Sequence, residues 1–375
     1  MRITRRTGMR SALTAVAVAA LALASGCGQA PQSGGNASGS AGAASIDQGF
    51  KIGLLLPESK TARYEKFDRP LIEQNIKKLC PKCTIQYLNA NQQANTQQQQ
   101  VDTVLTAGVK VLILDSVNFK SIASSVAKAK AQGVPVVAYD RLAEGPISAY
   151  TSFDNENIGK LQGQAFLAAV SKGGNPKRGK VVLINGSPDD PNAAQFKKGM
   201  HSVLDGKVDV GAEYDTPDWS PDQAQTEAAG AITKLGVKNV IGIYAANDGT
   251  AGGAIAALKA ANASPLPPVT GQDAEVAGLQ RIVTGDQYAT IYKSIKPQAE
   301  AAAGFAVALA TGKKYDKATS TVSSGSAQNV PAVIVPAVTV TKDNIKDTVV
   351  KDGYWTVQEI CTPQYAAACK AAGLT

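Results

Sequence analysis

The sequence has little histidine and lacks the common hydrolase motifs. His201 is its one histidine, and it lies inside a predicted helix, where we expect a surface or boundary position. There is no Gly-x-Ser-x-Gly and no His-x-x-x-His, so neither a serine nucleophile elbow nor a helical zinc pair is indicated. Gly249, Gly252 and Gly253 do not form the Gly-x-Gly-x-x-Gly pattern of dinucleotide sites. We therefore expect no enzyme, no cofactor and no metal.

The sequence also lacks a concentrated basic surface. Its formal charge is +8, but four arginines fall within the first ten residues, and without those four the charge is +4. Lys-Lys pairs are scattered and are not interleaved with aromatic residues, which make up only 5% of the chain. Binding to nucleic acid requires a basic patch or stripe, so we expect no nucleic-acid partner.

The first 26 residues contain no acid and only one short apolar run. Arginines precede the apolar residues 12–24, a stretch too short to span a membrane as a helix. This arrangement predicts a signal peptide over residues 1–26. The run ends in Leu-Ala-Ser-Gly-Cys, which resembles a bacterial lipobox and implies cleavage before Cys27 and a lipid on its thiol. An ordinary signal peptide with an incidental cysteine is the alternative, and Arg5-Arg6 leaves Sec or twin-arginine export open.

Residues 27–48 have few large apolar side chains. They are mostly glycine, serine, alanine, glutamine and asparagine, with Pro31 among them. Such a composition cannot bury a core, so the sequence predicts a flexible tether over residues 27–48. The folded body is then expected to start near Phe50.

The remaining chain is organised as repeated strand–helix steps. The length of 375 residues exceeds what one core usually holds, which favours two lobes. The first series of steps precedes residue 136, and a second series starts at Asn157. This alternation predicts an α/β fold with two similar doubly wound parallel-sheet lobes, joined by several crossings with a cleft between them. The predicted boundaries are 49–156 with 294–330 for the first lobe, and 157–293 with 331–375 for the second.

Besides Cys27 the sequence has Cys80, Cys83, Cys361 and Cys369. An exported protein lies where disulfides persist, and four cysteines allow three pairings. Local pairing, Cys80 with Cys83 and Cys361 with Cys369, is the first prediction. A redox role for the first pair is less expected because it follows a helix instead of preceding one. A zinc site is disfavoured because Cys361 and Cys369 lack the short spacing of zinc ligands.

Polar and aromatic side chains gather just past the carboxyl ends of the predicted strands, which is where open α/β sheets bind ligands. They provide planar donors and acceptors with two aromatic rings. A pyranose needs this mixture, because rings cover its C–H faces while Asp, Asn and Arg bond its hydroxyls. The alternative for each aspartate is a helix cap, most of all for Asp248 and Asp154, and Trp219 could be a core anchor. The candidates are Arg63, Tyr64, Asp140, Arg141, Asp154, Asn155, Trp219, Asn247, Asp248, Asp273 and Lys293.

Several longer motifs occur in one order along residues 51–353. They include Tyr-Asp-Arg at 139–141, Ser-Phe-Asp-Asn-Glu at 152–156, Gly-Ser-Pro at 186–188, Gly-Gln-Asp-Ala at 271–274 and Asn-Ile-Lys-Asp-Thr-Val at 344–349. Together they resemble the D-xylose-binding proteins of bacterial ABC importers, which are type I periplasmic sugar-binding proteins. The resemblance implies sugar contacts at Arg63, Asp140, Arg141, Asp154, Trp219, Asn247, Asp273 and Lys293.

The sequence departs from that family at one aromatic position. Tyr64 stands where the family has a stacking tryptophan, so stacking is still expected but the identity of the sugar is open. Pro-Glu-Ser-Lys at 57–60, Asp189-Asp190 and Glu275 instead resemble the multiple-sugar-binding proteins, which accept glucose, galactose and other aldoses. The cysteine pairs and the residues beyond Gly353 lie outside the resemblance.

The resemblance implies a lipid-anchored substrate receptor of an ABC sugar importer, held at the outer face of the cell membrane. The expected partners are an aldopyranose, xylose first, a membrane permease with its cytoplasmic ATPase, and the membrane itself through Cys27. We expect a monomer. A glucose, galactose or multiple-sugar receptor is the alternative within the class. A sugar-responsive repressor shares this core but needs a helix-turn-helix where this sequence has an export signal.

Overall fold

The structure is a computed structural model, and it describes residues 43–374. The predicted signal peptide, Cys27 and most of the predicted tether lie outside the described residues. Within the described part, no helix is long and apolar enough to cross a bilayer.

Strands alternate with helices through most of the described chain. The central strands of the first sheet are continuously apolar because helices cover both of their faces. The strands are β1 (Lys51–Leu56), β2 (Thr84–Asn89), β3 (Val111–Leu114), β4 (Val136–Tyr139), β5 (Ala149–Phe153), β6 (Lys180–Asn185), β7 (Asp209–Asp215), β8 (Val240–Ala245), β9 (Val269–Thr270), β10 (Thr290–Lys293), β11 (Ser320–Ser324), β12 (Ala327–Val335) and β13 (Ala337–Val340).

The helices begin with residues suited to a first turn. Proline starts α5 and α6, where its missing N–H has no partner to lose. A π-helical turn, Tyr64–Asp68, precedes α1. The helices are α1 (Arg69–Leu79), α2 (Ala94–Thr106), α3 (Ala123–Ala131), α4 (Asn155–Ser171), α5 (Pro191–Leu204), α6 (Pro221–Leu235), α7 (Asp248–Ala260), α8 (Val276–Thr284), α9 (Ile295–Ala310), α10 (Val357–Ile360) and α11 (Ala366–Ala371).

The first lobe is built on a seven-stranded sheet in the order β11-β12-β5-β4-β3-β1-β2. Its strands pair in parallel, except that β11 runs antiparallel to β12. Helices α1 and α9 pack together against this sheet. Most of α9 is buried, and its many alanines let it approach the strands closely.

The second lobe is built on a parallel sheet in the order β7-β6-β8-β9. The antiparallel pair β10 and β13 adjoins it through a bridge between Thr270 and Ala289. Helices α4 and α5 cross very closely, since a Cβ on Gly159 or Gly199 would overlap the backbone of the other helix.

The chain passes between the two lobes after β5, after β10 and after β12. These crossings bring the carboxyl ends of the strands in both sheets to one cleft, where open parallel sheets bind ligands. The predicted α/β class with two doubly wound lobes is confirmed.

One predicted boundary needs correction. Residues 331–335 were assigned to the second lobe, but β12 pairs with β5 as far as Val335 opposite Phe153. The backbone ladder therefore keeps these residues in the first sheet, and the third crossing falls at Pro336, where the ladder is interrupted.

The predicted tether is also too long at its end. Ala44 donates its backbone N–H to the carbonyl of Ala310 at 2.9 Å, and Ile46 packs against the core of the first lobe. Residues 44–48 are thus already part of the folded body, because one isoleucine and one backbone bond suffice to dock them.

The four cysteines of the body form two local disulfides. Cys80 bonds to Cys83 across Cα atoms 5.3 Å apart, and Cys361 bonds to Cys369 across 5.8 Å. The first closes the turn between α1 and β2, and the second ties the end of α10 to α11. The sulfurs are therefore engaged as the local pairing predicts, and they are not arranged as a common metal site.

Candidate functional site

A small buried cleft between the lobes collects nearly all the candidate residues. The first lobe contributes side chains that follow β1 and β4, and the second contributes side chains that follow β6, β7, β8 and β9, with one more at the end of β10. The lining residues are Thr61, Arg63, Tyr64, Asp140, Arg141, Asp190, Trp219, Asn247, Asp273 and Lys293.

Asp140 is the carboxylate of the first lobe. Its Oδ2 lies 2.8 Å from Nη1 of Arg63, and it also accepts a hydrogen bond from Gln298 at 3.2 Å. Burial alone would raise the pKa of Asp140, but Arg63 and then Lys293 outweigh it, so the pKa is lowered. The carboxylate is therefore held ionised as an acceptor.

Arg63 is fixed from behind by a second carboxylate. Its Nε and Nη2 donate to the two oxygens of Asp68 at 3.0 and 2.6 Å, and Nη2 also donates to Gln298 at 3.0 Å. Burial opposes the charge of Arg63, yet Asp140 and Asp68 raise its pKa well above the ordinary value. The guanidinium is thus a rigid donor aimed at the cleft.

Arg141 reaches from the first lobe to the second. Its Nε lies 3.0 Å from Oδ2 of Asp190, and Nη1 donates to the carbonyl of Ser116 at 3.2 Å. Asp190 also accepts the indole N–H of Trp219 at 3.1 Å. Burial raises the pKa of Asp190, and Arg141 limits that rise.

A third ion pair lies where the chain crosses after β10. Nζ of Lys293 is 2.7 Å from Oδ1 of Asp273, and both side chains are almost wholly buried. The ammonium also lies 5.7 Å from the ring of Phe153 and 5.4 Å from that of Phe196, within reach of cation–π attraction.

Asn247 serves both a helix and the cleft. Its side-chain oxygen accepts the N–H of Thr250 at 2.8 Å in a capping box at the start of α7. Because the oxygen is used in this way, the amide nitrogen is the group left for a ligand. Asn247 therefore complements the carboxylates as a neutral donor.

Each lobe supplies one large aromatic ring. Tyr64 comes from the first lobe and Trp219 from the second, and both are buried. Gly186 makes room for the indole, since a Cβ there would overlap the ring of Trp219. Phe196 supports the same ring edge-on at a centroid distance of 6.4 Å.

The structure does not bring Asp154 to the cleft. Its side chain is exposed and accepts the N–H of Asn157 at 3.1 Å as the cap of α4. The structure therefore places Asp154 outside this cleft, because the residue turns outward where the chain leaves the first sheet. Asn155 and Asp248 also lie behind the cleft, bonded to Asn192 and Gln287 respectively.

Thr61 and Asp190 are the lining residues that the sequence reasoning missed. Asp190 enters the sequence analysis only within Asp189-Asp190, as a resemblance to the multiple-sugar-binding proteins. Asp190 also caps α5 by accepting the N–H of Asn192 at 2.8 Å. The available signal was its place in the loop that follows β6, since Asp140 likewise comes after a strand of the first sheet. His201 bonds to Asp205 and Glu213 and does not line the cleft.

The sequence matches the family described as periplasmic binding protein domain over residues 52–314, well over half of the chain. The chain belongs to the periplasmic binding protein family. This periplasmic binding protein is 36% identical over 316 residues to the D-xylose-binding periplasmic protein of Escherichia coli (strain K12), covering 83% of this chain and 92% of that one. It is 31% identical over 323 residues to the multiple sugar-binding periplasmic protein of Azospirillum brasilense, covering 81% and 89%.

A solved structure agrees with these relatives. The ABC transporter solute binding protein from Clostridium phytofermentans with bound β-D-glucose superposes with a TM-score of 0.76 at 25% identity, covering 83% of this chain and 99% of that one. The resemblance to the D-xylose-binding proteins that the motifs suggested is confirmed.

The two lobes of this periplasmic binding protein touch each other directly around the cleft. Besides the Arg141–Asp190 ion pair, Nδ2 of Asn192 donates to Oδ1 of Asp140 at 2.8 Å. The structure therefore has the lobes closed over the lining residues, and opening must break these contacts.

Proposed function

We propose that this protein is the sugar-binding receptor of an ABC importer. One aldopyranose, xylose first, binds between the lobes, and the closed form is presented to a membrane permease with a cytoplasmic ATPase. The sugar leaves the receptor chemically unchanged, so the protein is not an enzyme.

The composition of the cleft carries this proposal. Three carboxylates, those of Asp140, Asp190 and Asp273, face three cations, so the lining charges balance. A neutral ligand with many hydroxyls can use both signs of charge, whereas an ionic ligand would leave one set unpaired. Tyr64 and Trp219 add rings suited to the C–H faces of a sugar.

The choice of sugar rests on the relatives and on one residue. The relative from Escherichia coli is named for D-xylose, and a solved relative was found with β-D-glucose. Tyr64 replaces the tryptophan that the resemblance implies, which supports a glucose, galactose or multiple-sugar receptor as the alternative.

Calorimetric titration with a panel of aldoses tests the proposal. We expect xylose to bind most tightly. Chromatography should then recover the sugar unaltered. Tighter binding of glucose or galactose would favour the alternative, and a lack of binding by every aldose would contradict the proposal. Small-angle scattering should also show a more compact protein once the sugar is added.

We also propose that Cys27 carries the membrane anchor after export. The lipobox-like sequence that ends at Cys27 supports this. Cys27→Ser should move the protein from the membrane fraction to the soluble fraction, because one cysteine provides the thioether for the lipid. A mutant that still sediments with membranes and keeps a lipid by mass spectrometry would contradict the anchor without affecting the sugar proposal.

A further inference from the structure

The C-terminal segment, residues 352–374, contacts both lobes beside the cleft. Asp352 accepts hydrogen bonds from Tyr292 and Ser294, next to the second crossing. Further along, Gln280 of α8 donates to the carbonyl of Ile360 at 3.2 Å. The Cys361–Cys369 disulfide closes a loop within the segment.

Trp355 joins this segment to the backbone that presents Asp273. The indole N–H of Trp355 donates to the carbonyl of Ala274 at 2.9 Å, and the ring is buried. Ala274 immediately follows Asp273, which lines the cleft. The hydrogen bond therefore acts one residue from a carboxylate of the site.

The backbone at this point has an unusual conformation. Asp273 has φ of 88° and Ala274 has φ of 48°, although neither is a glycine. Residues with a Cβ atom rarely adopt positive φ. A non-glycine residue keeps this conformation only where its surroundings fix it. Ile291 accepts the N–H of Asp273 at 2.8 Å, Thr290 accepts that of Ala274 at 3.1 Å, and Trp355 holds the carbonyl.

The other side of Trp355 rests on the first lobe. Phe67 lies edge-on to its ring at 5.1 Å and stacks on Tyr354 at 3.9 Å. Lys66 lies 4.8 Å above the Trp355 ring and pairs with Glu359 at 3.0 Å. Lys66 and Phe67 belong to the turn Tyr64–Asp68, which supplies one aromatic wall of the cleft and the carboxylate that fixes Arg63.

We propose that Trp355 is a positioning residue for ligand binding. Its indole N–H holds the Asp273–Ala274 turn of the second lobe in place, and its ring braces the turn of the first lobe that carries the Tyr64 side chain. This inference rests on the proposed function, because it assigns Trp355 to the same cleft. It also gives a role to a segment that lies outside the motifs shared with the xylose-binding proteins.

Trp355→Phe is the first test, since it keeps an aromatic ring against Phe67 and removes the indole N–H together with the five-membered ring that carries it. We expect the Kd for the sugar to rise about five- to tenfold, the effect of losing one buried hydrogen bond. The dissociation rate in stopped-flow measurements should rise with it, because the bond supports the closed site. Tyr315→Ala is the control, since it removes an aromatic pair with Phe305 inside the first lobe and should lower Tm without changing Kd.

Rescue by glycine separates positioning from simple packing. Glycine adopts positive φ without strain, so Ala274→Gly should restore most of the affinity that Trp355→Phe loses. Ala274→Gly alone should bind nearly as wild type does. If Trp355→Phe lowers affinity only by disturbing the packing, adding Ala274→Gly should lower the affinity further, because glycine removes another buried methyl group.

The outcomes divide clearly. If the wild type binds no aldose, the proposed function and this inference both fail. If the wild type binds and Asp273→Ala loses affinity, but Trp355→Phe keeps the wild-type Kd and dissociation rate, only the inference is overturned. A loss in Trp355→Phe that Ala274→Gly does not repair also overturns it, since the N–H would then not be holding the turn.

Discussion

At the scale of single residues, Asp273 has the most exacting position in the cleft. It combines a left-handed backbone with a buried ion pair to Lys293 at the crossing between the lobes. Nothing in the sequence pattern indicates this backbone, because the signal for such a conformation is usually glycine and here it is Asp-Ala. This backbone persists because hydrogen bonds with Ile291, Thr290 and Trp355 fix the turn.

Asp273→Ala is expected to weaken sugar binding strongly. The change leaves the Lys293 ammonium without its partner and a ligand hydroxyl without its acceptor. Truncating one member of a buried charged pair costs about 2–5 kcal/mol, which corresponds to a Kd about thirtyfold higher or more. Calorimetry with the best-bound aldose measures it directly.

Asp154→Ala is the matched control, because Asp154 precedes a helix and carries the same charge but does not line the cleft. It should lower the free energy of unfolding by about 1 kcal/mol through loss of a helix cap, with Kd unchanged. A large loss of affinity in Asp154→Ala, or a wild-type Kd in Asp273→Ala, would contradict the site.

The sequence was a good guide to which residues line the cleft, and its errors at two aspartates share one cause. Strand-end positions identified Asp140, Asn247 and Asp273 because parallel strands end at one edge. The same rule failed for Asp154 and missed Asp190, since both residues cap helices. An aspartate that precedes a helix can cap the helix alone, or it can cap the helix and line the cleft as well. The direction of the turn before the helix decides between these two arrangements.

At the scale of elements, the loop after β6 and the turn at Trp219 are fitted to each other. Gly186 lies under the indole, and a Cβ there would overlap several ring atoms of Trp219. Neither element could be paired with the other from periodicity, because the contact joins residues 33 positions apart in sequence through tertiary packing alone. The elements and their order followed from the hydrophobic pattern, whereas this fit did not.

Gly186→Ala should therefore displace Trp219 and reduce affinity. Overpacking typically costs about 1–3 kcal/mol, so we expect the Kd to rise about tenfold. Calorimetry measures the Kd, and the fluorescence of Trp219 reports the change in its surroundings.

Gly230→Ala is the control for that substitution. Gly230 lies within α6, and an added Cβ there meets no atom within 4 Å. Alanine in a helix should raise the free energy of unfolding by about 0.5–1 kcal/mol and leave Kd unchanged. Equal affinity in Gly186→Ala and the wild type would show that the indole does not contribute to the site.

At the scale of the whole molecule, closure buries titratable groups that belong to different lobes. The backbone N–H of Ala62 in the first lobe lowers the pKa of Glu275 in the second lobe. Burial, with Asp248 and Asp273 nearby, raises the pKa of Glu275 to about 8, although part of its side chain remains exposed. Arg281 faces the same group and only partly offsets this rise.

Sugar affinity should therefore fall as the pH rises. If opening of the lobes returns Glu275 to water, its pKa there is near the ordinary value of about 4.3. Between pH values near the open-form pKa and about 8, Glu275 is then protonated in the closed form and ionised in the open form. Mass action favours closure at the lower pH, and one proton gives at most about a tenfold change in Kd per pH unit.

Glu275→Gln should flatten this dependence, because glutamine has nearly the same shape as glutamate and is neutral in both forms. Calorimetric titrations from pH 5 to about 8, the range that the two pKa values define, would measure both slopes.

Glu227→Gln is the matched control: burial also raises the pKa of Glu227, but its hydrogen-bond partner is Thr216 of its own lobe. That variant should keep the wild-type slope, since closure does not change the surroundings of Glu227. A slope that persists in Glu275→Gln would mean that the proton taken up on closure is bound at another group, and Asp248, whose pKa burial raises to about 7, would be the next to test.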